Sequence, residues 1–138
     1  MVRTIAVTLM LTASLAGCSS DSGPPSATVS GVVKYKGEPV KHANVMFFPK
    51  GVEGGRTAHA MTDAEGRFSQ DSVAVGSNFV TVTEGWPPGA AIPTDDMGME
   101  KSPPRGPWDN KYRDSTNPRI KVEVASGRDN TFEWDLSE

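Results

Sequence analysis

Few residues in this chain are equipped for chemistry. Cys18 is the only cysteine, and it ends the tetrapeptide Leu15-Ala16-Gly17-Cys18. Small residues before it let the backbone enter a peptidase groove, and its thiol is open to alkylation by a diacylglycerol. A single cysteine forms no intramolecular disulfide, and a thiol used for lipid leaves no Cys–His catalytic pair. His42 and His59 have polar neighbours but no third ligand at a metal-binding spacing, so both read as strand-face histidines. Asp63 and Glu65 lack the acidic ladder of a calcium loop and read as turn residues. No G-x-S-x-G elbow, H-E-x-x-H helix or phosphate-cradling glycine loop occurs. The expectation is a chain without catalytic residues, cofactor or metal, with an enzyme of unknown type as the remote alternative.

The remaining candidates are aromatic. Trp86, Trp108 and Tyr112 lie in Gly85–Pro118, which holds seven of the eleven prolines and two of the three tryptophans. Loops longer than about 12–15 residues are uncommon inside compact domains and are usually functional or disordered. Asp95, Asp96 and Glu100 form an acidic cluster there, followed by Lys101, Arg105, Lys111 and Arg113. The two tryptophans either anchor the loop on a sheet or offer platforms to a sugar or peptide. Tyr112 is expected to pack on a sheet edge. Ligand or partner contact by Trp86, Trp108 and Tyr112 is the site expectation, with the mixed-charge loop as the contact surface.

The elements that must position these residues follow from length and pattern. With 138 residues, 36% hydrophobic and 22% charged, the chain has room for one core. Its net charge of −3 and lack of a basic block argue against nucleic acid. Met1 to Arg3 and the apolar run Ile5–Leu15 have the charge and length of a secretory leader and are too short to span a bilayer as a helix. With the tetrapeptide, this start resembles a bacterial lipobox. That resemblance implies cleavage after residue 17 and a diacylglyceryl group on Cys18, often with an amide-linked chain. Two or more chains give stable membrane anchoring. Ser19 stands where an aspartate commonly retains lipoproteins at the inner membrane, so a cell-envelope location with the outer membrane favoured is expected. Residues 18–26 form a polar tether reaching roughly 30 Å at full extension.

From Ala27 to Glu138 the pattern has period two, with 14 Gly and 11 Pro favouring turns. Strands are expected near 27–35, 40–48, 57–62, 67–70 and 78–83. A closing hairpin is expected with Ile120, Val122 and Val124 on one arm and Phe132, Trp134 and Leu136 on the other. The fold class is all-β: a single antiparallel β-sandwich of about seven strands, of transthyretin-like or immunoglobulin-like type, with Pro-rich insertion 85–118. Val33, Val45, Phe47, Phe68, Val80, Val82, Val122, Phe132 and Trp134 should share its core.

Gly31-Val32-Val33, Gly37-Glu38-Pro39-Val40, Ala43-Asn44-Val45, Thr62-Asp63-Ala64-Glu65-Gly66-Arg67-Phe68 and Gly76 follow in order. Together they resemble the carboxypeptidase regulatory-like (transthyretin-like) modules of secreted bacterial lipoproteins. The resemblance implies a non-catalytic accessory or adhesion-type module, partnered by the membrane through its anchor and by an envelope protein or glycan. A carbohydrate-binding module using Trp86 and Trp108 is the alternative. The family's Gly-x-Tyr-x-Val-x-Val is broken here, because Asn78 holds the aromatic position and Phe79 follows. Either a bulge restores the register or the aromatic packs on the outer face.

Overall fold

The computed structural model describes residues 23–137. The expected leader, Cys18 and the first part of the tether lie outside the described residues. Eight strands follow in order: β1 (Ser26–Tyr35), β2 (Glu38–Pro39), β3 (Ala43–Pro49), β4 (Ala58–Met61), β5 (Arg67–Ala74), β6 (Gly76–Glu84), β7 (Ile120–Val124) and β8 (Asn130–Asp135). In one sheet β1 pairs with β2, β5 and β8; the other runs β4-β3-β6-β7. The all-β sandwich expected from the alternation is the observed architecture.

Its core lies between the sheets. Val33, Val45, Phe47, Val80 and Val82 are fully buried, and Phe132 and Trp134 pack against that cluster half-buried. Phe68 and Trp134 stack with centroids 5.4 Å apart, and Phe47 tilts against both from the opposite sheet. The step from β4 to β5 uses Asp63, whose carboxylate accepts the N–H groups of Glu65 and Arg67 at 2.9 Å each. Gly66 closes that turn at φ +73°, where any Cβ would also meet the Val33 carbonyl at 2.5 Å.

The closing hairpin is not formed. β7 pairs with β6, whereas β8 crosses to the other sheet and runs parallel to β1. Asn130 makes that crossing: its amide accepts from Ala125 N–H and donates to the carbonyls of Thr28, Ala125 and Arg128. The turn thus enters the sheet of β1 at the end where β1 begins, and β8 must run alongside β1. His42, expected on a strand face, occupies the corner before β3 at φ +53°. Asn78 faces the core and Phe79 the outside, so the altered aromatic position is met by outward packing.

The strand registers define two ends. Pro25, Ala74, Gly76 and Val124 share one, since Val75 N–H bonds to the Pro25 carbonyl and Gly76 pairs with Val124. Tyr35, Ala43 and Glu84 share the other. The tether therefore enters at one end, and the 85–118 loop leaves β6 at the opposite one. At about 3.3 Å per residue, the nine residues of β6 separate them by about 30 Å.

At the far end Asp135 joins the C-terminus to the β1–β2 turn. Its carboxylate accepts from Ser137 Oγ and N–H, and from the N–H groups of Gly37 and Lys36. These donors, the Ser137 hydroxyl foremost, hold its pKa down to about 2. A carboxyl-carbon NMR titration should give that midpoint for Asp135. A midpoint at the ordinary 3.8 would show the donors unengaged in solution.

Candidate functional site

The long loop has a fixed base and a presented tip. β7 pairs only with the first half of β6, Gly76–Val80, which leaves the second half without a strand neighbour on that edge. Segment 106–113 covers it. Trp108 is buried, and its indole Nε1–H donates to the Val82 carbonyl at 3.1 Å. A single 3-10 turn, Asn110–Tyr112, follows, capped by the Asp109 carboxylate on Lys111 N–H. Tyr112 is also buried in the core cluster.

Glu84 and Arg113 fasten this base. Arg113 Nε lies 3.1 Å from each Glu84 oxygen, and Nη2 also reaches Oε1. The guanidinium further donates to the carbonyls of Trp108 (2.7 Å) and Gly106 (3.1 Å), and it lies 4.9 Å from the Trp108 ring centroid. Gly106 N–H donates back to Glu84. A side chain at 106 would put its Cβ 2.2 Å from Trp108 Cζ3, so glycine is what lets the backbone cross the indole. Both charged side chains are little exposed, 13% for Glu84 and 12% for Arg113. Burial alone would raise the Glu84 pKa. The Arg113 hydrogen bonds, the N–H groups of Glu84 and Gly106 and the Arg113 charge outweigh it and bring the pKa below its ordinary value.

The tip is a small hairpin from Pro93 to Lys101. Thr94 bridges Glu100, Asp95 N–H donates to the Met99 carbonyl and Lys101 N–H to that of Pro93. Asp95 is consumed by the turn, accepting Met97 and Met99 N–H at 2.9 Å each. What the hairpin presents is apolar: Met97 is 86% exposed and Met99 64%, with Ile92 nearby in sequence also exposed. Trp86, half-buried, joins tip to base by donating to the Lys101 carbonyl at 3.3 Å.

Of the aromatic residues expected at a contact site, Trp108 and Tyr112 thus turn inward, and Trp86 alone keeps accessible surface. Sequence reasoning passed over Glu84, Arg113 as its partner, and the methionines. Among the described residues, no group of three or more His, Cys, Asp or Glu is placed to hold a metal ion. His59 Nε2 is engaged with Asn44 Oδ1 at 2.9 Å, and Asp63 is occupied by its turn.

No family model matches the chain, and no curated protein is similar to it at a meaningful level. Among solved structures the chain is similar to a DUF3823 family protein from Parabacteroides merdae. Identity there is 18% and the TM-score 0.46, covering 83% of this chain and 46% of that one. It is also similar to BcpA, the major pilin subunit of Bacillus cereus, at 14% identity and TM-score 0.42, covering 83% and 31%. The chain spans less than half the length of either.

Proposed function

We propose that this chain is a non-catalytic β-sandwich module of the cell envelope, anchored by lipid on Cys18 and making partner contact through the tip of the 85–118 loop. The observation that carries the reading is the combination of a fixed base with a hairpin that holds Met97 and Met99 in solvent. Flexible, polarizable methionines suit an adaptable contact surface. A hairpin with its own hydrogen bonds loses little entropy when it meets a partner. The leader and the tetrapeptide ending in Cys18 support the anchor and the envelope location. The resemblance to carboxypeptidase regulatory-like modules supports an accessory role. Because the tether and the loop leave opposite ends, anchoring directs the loop's root away from the bilayer. Of the two tryptophans a glycan-binding reading would use, Trp108 is buried and Trp86 alone keeps accessible surface.

Two variants test this. Cys18→Ala should move the protein out of the membrane fraction, and its recovery there at wild-type level would remove the anchor. Replacing Ala91 to Glu100 with a short Gly/Ser link should change the melting temperature by no more than about 2–4 °C, because it spares Glu84, Gly106, Trp108 and Arg113. The same replacement should abolish recovery of whatever partner the wild-type chain retrieves from solubilised envelopes. Undiminished recovery would place the contact elsewhere.

A further inference from the structure

Phe79 is displaced from the expected aromatic position and faces outward, and the loop-tip reading leaves it unexplained. On the outer face of the second sheet, Phe48, Phe79 and Lys121 stand side by side in register across β3, β6 and β7. Phe48 and Phe79 are both half-exposed. Lys50 joins them, its N–H bonded to the Ser77 carbonyl. The ammonium groups of Lys50 and Lys121 each lie 5.6 Å from the Phe79 ring centroid. Neither lysine has a carboxylate within ion-pair distance among the described residues. Glu123, on the same face of β7, is engaged by Ser77 Oγ at 2.7 Å.

This patch lies at the end where the chain enters. Phe79 is four residues, about 13 Å along an extended strand, from Val75, whose N–H holds the Pro25 carbonyl. Gly23 is five residue steps beyond Cys18, a reach of at most about 18 Å. A lipid on Cys18 would therefore hold the patch at high effective concentration beside the bilayer. Phenyl rings with flanking lysines have the chemistry of a membrane interface: the rings enter the headgroup layer while the ammonium groups meet anionic headgroups.

We infer that Phe48, Phe79, Lys50 and Lys121 form a docking face for the anionic bilayer surface to which the chain is anchored. The inference rests on the reading of Cys18 as the lipid site. Docking brings the Phe79 end of the β4-β3-β6-β7 sheet onto the membrane and leaves the Glu84 end raised, so the domain has a set orientation instead of swinging on its tether. The two ammonium charges and the short tether favour a lipid surface over a free polyanion, which the tether would not concentrate.

The test uses the mature full chain in vesicles of phosphatidylglycerol and phosphatidylcholine, in vesicles of phosphatidylcholine alone, and in detergent. Lysines are acetylated with a water-soluble ester and read by mass spectrometry, and the same spectra report the mass of the Cys18 peptide. Lys50 and Lys121 should react about fivefold more slowly in the anionic vesicles than in detergent. Lys36 and Lys111, at the far end, should not change. The protection should fall in high salt and in Phe79→Ala.

Equal reactivity of Lys50 and Lys121 in all three media, with lipid present on Cys18, overturns the docking face and leaves the anchor standing. Equal protection in neutral and anionic vesicles overturns headgroup recognition. Protection by an acidic polysaccharide in detergent without protection by anionic vesicles overturns the bilayer as occupant. An unlipidated Cys18 overturns both readings.

Discussion

Phe47→Ala should cost about 3–5 kcal/mol, the usual range for a large aromatic removed from a core. Phe47 has no exposed surface and projects from β3 toward Phe68 and Trp134 of the facing sheet, at centroid distances of 6.0 and 6.4 Å. Its ring therefore joins the two layers, and the vacated space would face aromatic side chains already packed against one another. Domains of this size hold about 5–15 kcal/mol in all, so the variant should lie close to unfolding at ambient temperature. Phe48→Ala is the control. The next residue of the same strand faces outward and is half-exposed, and its truncation should cost about 1 kcal/mol. Chemical denaturation of the two variants measures the difference. Because strand side chains alternate, a register slip of one residue would exchange the two results. Equal losses would reject the assignment of faces on which both the core and the outward Phe79 depend.

That alternation is why the sandwich was legible in the sequence. Val45 and Phe47, Val80 and Val82, and Ile120, Val122 and Val124 each mark a buried face at spacing two, and each lies on that face in the structure. Pairing was less legible, because period two says which side is buried and not which strand is the neighbour. Phe132 and Trp134 alternate as a hairpin arm would, yet Asn130 carries them to the other sheet. Nothing in the local pattern shows that its amide is bonded to Thr28, a hundred residues earlier.

The tip of the loop was legible in principle. Asp95-Asp96-Met97-Gly98 repeats the Asp-x-x-Gly spacing of Asp63-Ala64-Glu65-Gly66. In both, the first carboxylate accepts N–H groups two and four residues on, and the glycine N–H donates to the aspartate carbonyl. Reading Asp95 as part of a charge cluster hid a turn that the same sequence displays plainly thirty residues earlier. The Glu84–Arg113 pair had no such signal, since its members are 29 residues apart and meet only because the loop returns to β6.

Removing Arg113 should have the largest effect on the loop. Arg113→Ala leaves a Glu84 carboxylate that is only 13% exposed with one remaining partner outside its own residue, Gly106 N–H. It also deprives the Trp108 and Gly106 carbonyls of their donors and the indole of its overlying cation. Stranding one member of a largely buried pair costs about 3–5 kcal/mol, and the residual exposure here favours the lower value. Thermal unfolding should show that loss, and tryptophan emission should shift to the red as Trp108 leaves the β6 edge. Arg113→Lys should recover little, because one ammonium cannot reproduce the planar fork that reaches Glu84, Trp108 and Gly106 together. Glu84→Gln combined with Arg113→Met should recover more than half, since no stranded charge remains.

Acid should act on the same lock. The Glu84 pKa is lowered on folding, so its contribution is present in full above its unfolded value of 4.5 and is lost as pH falls through the depressed folded value. Wild-type emission should therefore redden on acidification below 4.5, and Glu84→Gln should not show that step. An Arg113→Ala protein that melts like wild type and keeps Trp108 shielded would mean that the indole and Tyr112 hold the base unaided. The ion pair would then be a passenger on that edge, and the presented tip would owe its position to packing alone.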